Sequence, residues 1–257
     1  MQDLRVTLVQ RELQWEQPED NRRGIATVIS ELAGKTDLVV LPEMFTTGFS
    51  MNALANAEDP GGETERWMQQ LAMQANCAVT GSIAVKSEGK VFNRMLFATP
   101  EDIQFYDKRH LFRMAGEHKR YQEGSERVIV QWRDGRLLLQ VCYDLRFPVF
   151  SRNRQDYDLA LYVANWPQPR GMHWRQLLIA RAIENLACVV GVNRIGQDAN
   201  GLVYNGDSLA VAADGELLED LQSHSDARTV TLSAAALQAY REKFPAHRDA
   251  DAFTLDS

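Results

Sequence analysis

The chain has 257 residues, of which 45% are hydrophobic and 25% are charged, a composition typical of a globular protein with a substantial core. Its 28 Lys and Arg against 35 Asp and Glu give a net charge of −7, which disfavours nucleic acids and anionic membranes as partners. The three cysteines do not suggest a disulfide framework, and "MQDLRVTLVQ" lacks the pattern of a signal peptide, so we expect a cytoplasmic protein without a membrane segment.

The first half of the chain alternates predicted strands with predicted helices. Runs of β-branched and apolar residues predict the strands, and apolar residues at helical spacing predict the helices. In chain order, the pattern predicts a strand over 3–10, a helix over 18–33, a strand in "TDLVVLPEMF", a helix over 63–76, and strands over 77–85, 91–99 and 103–107.

The second half repeats this order. It predicts a strand in "GRLLLQVCYD", a short helix over 148–155, a strand in "DLALYVANWP", a helix over 173–185, strands in "ACVVGVNRIG", "DSLAVAAD" and "ARTVTLS", and a last helix over 233–243 with Ser233 as its N-cap. Strands that alternate with helices indicate a layered α/β architecture. The likeness of the halves indicates an internal pseudo-twofold, and without a long linker we expect a single domain over 1–257.

The three cysteines occupy different sequence contexts. Cys77 and Cys188 lie inside apolar strand runs, which favours buried, inert thiols. Cys142 ends the predicted strand in "LLLQVCYDLRFP", just where the chain becomes polar. Catalytic groups of α/β folds often lie at such strand ends. Taken alone, Cys142 fits a structural thiol as well as a nucleophile.

A nucleophilic cysteine needs a neighbour that helps to remove its proton, because a free thiol with a pKa of about 8.5 is mostly protonated at pH 7. His110 in "YDKRHLF" is the histidine that lies in a dense polar cluster. Its alternative role is a histidine hydrogen-bonded within a turn. The spacing does not select a Cys–His mechanism.

Two other residues stand at the ends of apolar strands. Glu43 follows Pro42 after "LVVL", where it fits either a turn or a general base. Lys108 ends "IQFYDK", where it fits either a solvated lysine or a catalytic cation. Together with Cys142 they place an acid or base, a cation and a thiol at three strand ends. No ligand spacing typical of a metal site occurs, so we expect neither a metal nor a cofactor.

The three stretches "LVVLPEMF", "YDKRHLF" and "VCYDLRFP" together resemble the sequence blocks of the nitrilase, or carbon–nitrogen hydrolase, superfamily. The resemblance extends over nearly the whole chain, including "YVANWP" and "HWRQLLIARAIEN". It implies that Glu43, Lys108 and Cys142 are catalytic. It also implies a fourth, acidic residue at Glu117 in "AGEHKRYQEG", with Glu123 nearby as the alternative.

Within the superfamily the chain is most similar to bacterial omega-amidases. The resemblance implies hydrolysis of the terminal amide of 2-oxoglutaramate, or of short ω-amides such as succinamate, to the dicarboxylate and ammonia through a cysteine thioester. It suggests a role in clearing the by-product of glutamine-dependent transamination, for example in methionine salvage. The alternatives are an N-carbamoyl amide hydrolase or a nitrilase with the same residues, or an inactive scaffold. The implied fold is a four-layer αββα sandwich that pairs into an eight-layer homodimer.

The resemblance also suggests roles around the three catalytic residues. Lys108 and the backbone N–H of Tyr143 would form the oxyanion hole, and Lys108 would lower the pKa of the Cys142 thiol. An activated Cys142 should then react with iodoacetamide well below pH 8.5, ahead of Cys77 and Cys188.

The distal carboxylate of an ω-amide substrate calls for a fork-shaped cation. Arg113 and Arg146 are the candidates, and a salt bridge to Asp144 or Glu117 is the alternative for each. The aromatic side chains that could line the pocket, or belong to the core, are Phe45, Tyr143 and Trp166.

Overall fold

The computed structural model describes residues 1–255, so the last two residues of the predicted domain, 256 and 257, lie outside the described residues. The strands are β1 (Leu4–Gln10), β2 (Leu38–Val40), β3 (Ala78–Ser87), β4 (Lys90–Ala98), β5 (Ile103–Asp107), β6 (Ile129–Trp132), β7 (Gly135–Val141), β8 (Leu159–Ala164), β9 (Cys188–Asn193), β10 (Ile195–Gln197), β11 (Val203–Asn205), β12 (Leu209–Val211), β13 (Leu217–Asp220) and β14 (Asp226–Leu232). The α-helices are α1 (Pro18–Glu31), α2 (Ala53–Asn56), α3 (Glu63–Ala75), α4 (Pro148–Ser151), α5 (Gly171–Asn185) and α6 (Ala234–Lys243).

Two six-stranded sheets of the same design form the centre of the molecule. The first has the strand order β14-β1-β2-β3-β4-β5 and the second has the order β13-β12-β9-β8-β7-β6. Each contains three parallel strands, β1-β2-β3 or β7-β8-β9, flanked on both sides by antiparallel neighbours. The strands β7, β8, β9, β12 and β13 therefore repeat the order of β1 to β5, which confirms the predicted internal pseudo-twofold.

The alternation of side chains along the strands produces the layers. Inward residues such as Leu8 of β1 and Leu139 of β7 belong to one core between the two sheets. The next residue of β1, Val9, faces outward into a second core with α1 and α3. On the other side, Val189 of β9 packs in a third core with Trp174 of α5. The order helix–sheet–sheet–helix is the predicted αββα sandwich.

Matching ion pairs hold the first two parallel strands of each sheet together. Asp37, just before β2, accepts hydrogen bonds from Arg5 of β1 at 3.0 Å (Nε) and 2.9 Å (Nη2). Asp158, just before β8, accepts the same pair of bonds from Arg136 of β7 at 3.0 and 2.9 Å. Asp158 also accepts a 2.8 Å bond from Arg241 of α6, so it is tied to three elements of the fold.

These contacts lower the pKa of both aspartates. The hydrogen bonds from Arg5 hold the pKa of Asp37 below its ordinary value. Burial alone would raise the pKa of Asp158, but the bonds from Arg136 and Arg241 outweigh it and lower the pKa to about 2. Both side chains therefore stabilise the fold in their ionised form.

The helices and strands differ from the predicted ones mainly at their ends. The helix expected over 148–155 stops at Ser151, because the Asn153 side chain accepts the N–H of Asp156 at 3.1 Å and closes a turn of its own. The short strands β6, β11 and β13 were not predicted, although β6 begins within the apolar run 128–130. Ser233 is the N-cap of α6 as expected, accepting the N–H of Ala236 at 3.3 Å. Within residues 1–255, none of the helices has the length and apolar character needed to cross a lipid bilayer.

We expect Asp158→Asn to lower the free energy of unfolding by about 2 to 3 kcal/mol at pH 7. Asp37→Asn should cost less, because Asp37 is held by one arginine rather than two. A folded-state pKa below the unfolded value means that this stabilisation is complete above about pH 4 and is lost as the pH falls toward 2. Urea unfolding between pH 7 and pH 3 measures both effects.

Asp20→Asn is the control for this experiment, because Asp20 forms an ion pair on the exposed face of α1. It should change the free energy of unfolding by less than about 0.5 kcal/mol. Equal costs for the Asp158 and Asp20 variants would contradict the structural role of the paired ion pairs.

Candidate active site

Four polar residues follow directly on strands whose ends meet between the two sheets. Glu43 lies three residues after β2 and Lys108 immediately after β5, both from the first sheet. Cys142 follows β7 and Asn165 follows β8, both from the second sheet. The predicted catalytic residues Glu43, Lys108 and Cys142 therefore converge on one site, to which each sheet contributes.

The Lys108 ammonium lies between two carboxylates. Its Nζ atom donates to Glu43 Oε1 at 2.9 Å and to both carboxylate oxygens of Glu117 at 3.0 Å. All three residues are fully buried. Burial alone would lower the pKa of Lys108, but Glu117 and Glu43 outweigh it and raise the pKa. The expected fourth residue is thus placed at Glu117, whereas Glu123 is exposed.

Glu117 itself is held from two sides. Its Oε2 atom accepts the backbone N–H of Phe112 at 2.5 Å, in addition to the bonds from Lys108. Burial raises the pKa of Glu117, and the charge of Lys108 opposes this shift without cancelling it. Glu117 therefore holds the Lys108 ammonium in place by accepting two of its hydrogen bonds.

The Glu43 carboxylate accepts hydrogen bonds from three different residues. Oε1 accepts from Lys108 and from Asn93 Nδ2, the latter at 2.8 Å. Oε2 accepts the backbone N–H of Asn165 at 2.8 Å. Asn165 Nδ2 also donates to the Glu43 carbonyl at 2.6 Å, which fixes the backbone of the acid. These bonds fix the position of a carboxylate that is fully buried.

The sequence analysis did not single out Asn93 or Asn165. Asn165 could have been found, because "YVANWP" places it directly after a buried strand, as "LVVLPE" does for Glu43. Asn93 lies within β4, where nothing in the local sequence distinguishes it from a strand residue with its side chain toward solvent.

Cys142 occupies a sharp turn between β7 and a 3-10 turn over Cys142–Arg146. Its backbone has φ of +47°, a left-handed conformation that a residue with a side chain rarely adopts. This turn leaves Cys142 half-buried at the wall of a pocket, with Sγ 4.0 Å from the Asn165 carbonyl oxygen. The abrupt bend is how the chain presents the sulfur at the end of a buried strand.

Buried Asp144 holds this turn in place. Its Oδ2 atom accepts the N–H of Val141 at 2.9 Å and the hydroxyl of Tyr106 at 2.8 Å. Its Oδ1 atom accepts the N–H of His110 at 3.0 Å, and His110 Nδ1 lies 2.7 Å from the same oxygen. Because His110 is engaged with Asp144 and stacks on Phe147 at 3.9 Å, it fits the role of a turn histidine rather than that of a partner of the thiol.

The Cys142 thiol is less acidic than the sequence suggested. Burial and the nearby Glu43 carboxylate raise its pKa, and the opposing charge of Lys108 does not compensate. Lys108 lowers this pKa as expected, but burial and the Glu43 carboxylate outweigh it. Burial also raises the pKa of Cys77 and of Cys188, each to about 11. At neutral pH Cys142 is therefore a thiol beside a base, not a preformed thiolate.

A pocket of about 280 Å³ opens onto Cys142 and Lys108. Its walls are mostly aromatic and apolar, with two guanidinium groups among them. The residues that line it are Phe49, Lys108, Phe112, Met114, Ala115, Cys142, Tyr143, Arg146, Asn165, Trp166, Pro167, Pro169, Arg170, Leu202 and Tyr204. Tyr143 and Trp166 are thus at the predicted place.

Phe45 does not line this pocket, contrary to expectation. It is fully buried in the core between the first sheet and its helices, where its ring lies 6.0 Å from that of Trp67. Gly81 of β3 makes room for it, since a Cβ atom there would lie 2.8 Å from Phe45 Cδ1. The chain turns Phe45 away from the site directly after Glu43.

The two arginine candidates are in different environments. Arg146 lines the pocket, with its guanidinium 4.9 Å from the centre of the Trp166 ring and Nη2 3.0 Å from His173 Nδ1. Arg113 is exposed on a 3-10 turn outside this pocket, whereas its neighbour Phe112 lines the pocket. Neither arginine forms the alternative salt bridge to Asp144 or Glu117.

Arg170, which the sequence analysis missed, is the second guanidinium of the pocket. It lies 5.4 Å from the centre of the Phe112 ring, at the end of the turn that follows Asn165 and Trp166. Among the described residues no acidic side chain forms a salt bridge with Arg146 or Arg170. Nor does that part of the chain contain a group of three or more His, Cys, Asp or Glu side chains arranged to hold a metal ion.

Comparisons with known proteins agree with this geometry. The carbon-nitrogen hydrolase family model matches residues 5–242. The omega-amidase YafV of Escherichia coli K12 is 51% identical over 259 residues, covering 99% of this chain and 100% of the relative. The 2-oxoglutaramate amidase of Bacillus subtilis is 31% identical over 221 residues, covering 84% of this chain and 85% of that relative.

A solved structure is similar over the full length of both chains. It is the crystal structure of a CN-hydrolase superfamily protein from Xanthomonas campestris with an arsenic adduct in its active site, 48% identical, with a TM-score of 0.98. The matched family model, the shared αββα sandwich and the full-length relatives lead to one conclusion. This chain belongs to the carbon–nitrogen hydrolase family of the nitrilase superfamily.

Proposed function

We propose that the protein is an omega-amidase, which hydrolyses the terminal amide of 2-oxoglutaramate and of related short ω-amides to the dicarboxylate and ammonia. The observation that carries this proposal is the Glu43–Lys108–Glu117 cluster, buried beside Cys142 in a pocket that holds two arginines. The omega-amidase and 2-oxoglutaramate amidase relatives support the same reaction. A hydrolase of amide C–N bonds needs a nucleophile, a base and a site for the oxyanion, and the pocket offers candidates for all three.

In the first half of the reaction, Glu43 takes the proton of the Cys142 thiol as the sulfur attacks the amide carbon. A C–S bond forms, and the carbonyl π electrons move to the oxygen. The tetrahedral intermediate then collapses as protonated Glu43 gives its proton to the departing nitrogen, so that ammonia leaves and a thioester remains. The raised pKa of the Cys142 thiol fits this step, because a thiol that is protonated at rest needs a base to become a nucleophile.

In the second half, water replaces ammonia. Glu43 is ionised again and removes a proton from the water molecule that attacks the thioester. The second tetrahedral intermediate expels the Cys142 thiolate, which recovers its proton from Glu43. Glu117 orients Lys108 throughout by accepting two of its hydrogen bonds.

The oxyanion would be stabilised by Lys108 and by the N–H of Tyr143. Tyr143 lies at the start of the 3-10 helix Cys142–Arg146, where backbone N–H groups have no partner within the helix. Lys108 donates to Glu43 in the resting state. Once Glu43 is neutral, that bond weakens and the ammonium can follow the developing charge. One such donor is typically worth about 3 to 4 kcal/mol of transition-state stabilisation.

The distal carboxylate of the substrate would bind at Arg146 and Arg170. Both guanidinium groups border the pocket that contains the sulfur, and no described acid neutralises either of them. Arg146 is also oriented by Trp166 and His173. A small anion that carries a terminal amide fits a pocket with cations on its walls and a nucleophile at Cys142.

We also propose that residues 1–257 form a single domain and that the protein is a cytoplasmic homodimer. The core shared by both sheets supports a single domain. Exposed apolar side chains on the helical face of the second sheet, Met172 and Ile183 of α5 with Val149 of α4, support pairing across that face. The three free cysteines support a reducing compartment.

Cys142→Ala should reduce ammonia release from 2-oxoglutaramate by about 10³-fold or more, because the thioester can no longer form. Cys77→Ala is the matched control, since this thiol is buried in a separate core, and it should retain activity close to that of the wild type. A coupled ammonia assay measures both variants. Similar rates for Cys142→Ala and the wild type would exclude the proposed mechanism.

Arg146→Met and Arg170→Met should each raise KM for 2-oxoglutaramate and succinamate by about tenfold to a hundredfold, because a charge-assisted contact is lost. The rate with a neutral amide such as butyramide should change little. Arg113→Met, on the exposed turn, should leave both substrates unaffected. A panel that adds ureido acids and nitriles tests the N-carbamoyl hydrolase and nitrilase alternatives, and a preference for either would displace the omega-amidase proposal.

Iodoacetamide should label Cys142 before Cys77 and Cys188, because Cys142 faces the pocket and has Glu43 beside it as a base. Glu43→Gln should slow the labelling of Cys142 without changing the other two cysteines. Peptide mass spectrometry over time gives the three rates. Slow and equal labelling of all three thiols would favour an inactive scaffold.

A further inference from the structure

One buried amide joins the two acids of the site, and the mechanism above gives it no role. Asn93 lies in β4, and its side chain is fully buried. Its Nδ2 atom is 2.8 Å from Glu43 Oε1 and 3.3 Å from Glu117 Oε1. The backbone carbonyl oxygen of Asn93 accepts the backbone N–H of Lys108 at 2.9 Å. Asn93 therefore contacts all three charged residues of the cluster.

The chemistry of the amide restricts the two carboxylates. The amide nitrogen carries two hydrogens and accepts none, so both contacts require the carboxylate oxygens to be acceptors. Lys108 donates to the same two oxygens, Glu43 Oε1 and Glu117 Oε1. Neither oxygen is then free to carry a proton, although two carboxylates so close together would otherwise tend to share one.

The other oxygen of Glu43 is less occupied. Oε2 accepts one hydrogen bond, from the N–H of Asn165 at 2.8 Å, whereas Oε1 accepts two. A carboxylate oxygen has two lone pairs, so Oε2 retains one acceptor position. A proton that leaves the Cys142 thiol can be accepted there without displacing a donor.

We propose that Asn93 is a positioning residue that keeps Glu43 ionised and directs the thiol proton to Glu43 Oε2. It does so by sharing Oε1 with Lys108 and by holding the two acids as acceptors. This inference rests on the proposed function, because it assumes that Glu43 is the base for Cys142. It adds Asn93 to that function, as a residue that sets the pH range of the reaction.

The groups around Glu43 bear on this pH dependence. The titratable or charged side chains that face it are Lys108 after β5, Glu117 in the following 3-10 turn, Tyr121 just beyond it, Cys142 after β7 and Tyr204 of β11. Tyr121 and Tyr204 have raised pKa values, mainly through burial, and remain neutral over the working range. A variant of Asn93 keeps Lys108 and Glu117, but it removes a donor from both acids, so the pH profile reports the effect of the amide on the Glu43–Glu117 pair.

The test is the pH profile of kcat/KM for Asn93→Leu, which removes the amide and keeps a similar volume. Loss of a donor to the ionised base should move the acidic limb upward by about one to two pH units. Most of the lost activity should therefore return as the pH is raised. Asn93→Ala, which leaves room for a donating water molecule, should show a smaller shift and provides the measurement if the Leu variant does not fold.

Asn185→Leu is the matched control, since Asn185 is also a buried amide but lies at the end of α5 and bonds to Arg181. It should lower stability and leave the acidic limb in place. If Asn93→Leu or Asn93→Ala loses activity by one constant factor at every pH, the inference is wrong and Asn93 is only structural. Cys142→Ala separates a failure of the proposed function from a failure of this inference. If Cys142→Ala is active, the proposed function is overturned. If it is inactive and the pH profile of the Asn93 variants is unshifted, only this inference is overturned.

Discussion

The Lys108 ammonium, enclosed by two carboxylates and cut off from water, is the interaction on which the site depends. A buried charge is tolerated only when it is paired and hydrogen-bonded, and Lys108 satisfies this through Glu43 and Glu117. Burial and the nearby Glu43 carboxylate together raise the pKa of the Cys142 thiol, against the opposing charge of Lys108. The same ion pairs therefore set both the position of the cation and the surroundings of the sulfur.

The internal pseudo-twofold explains how so many polar groups come to lie between two apolar sheets. The ends of β2 and β8, which correspond in the two halves, meet there with Glu43 on one side and Asn165 on the other. The paired arginine–aspartate bridges lie at the opposite, amino-terminal ends of the same strands. Stability and chemistry are thus separated along the strands, as in other α/β folds with sites at the carboxyl ends.

The local pattern placed Glu43, Lys108 and Cys142 at the ends of apolar strands, because the end of an apolar run can be recognised in a short stretch of sequence. The resemblance to the nitrilase superfamily, rather than the pattern, implied the αββα sandwich and the meeting of the three residues. Contacts between segments that are far apart in the sequence could not be predicted in this way. The packing of the sheets and turns determines the contact of Asn93 with Glu43, the inward direction of Arg170 and the burial of Phe45 against Gly81. The same packing buries Cys142 beside charged groups and so determines the pKa of its thiol.

The protonated state of Cys142 has a consequence beyond amide hydrolysis. Peroxides and other cellular oxidants attack thiolates far faster than thiols, and low-pKa, accessible cysteines are the ones that become sulfenic acid. Because burial raises the pKa of the Cys142 thiol, we expect the resting sulfur to be oxidised more slowly than a preformed thiolate would be.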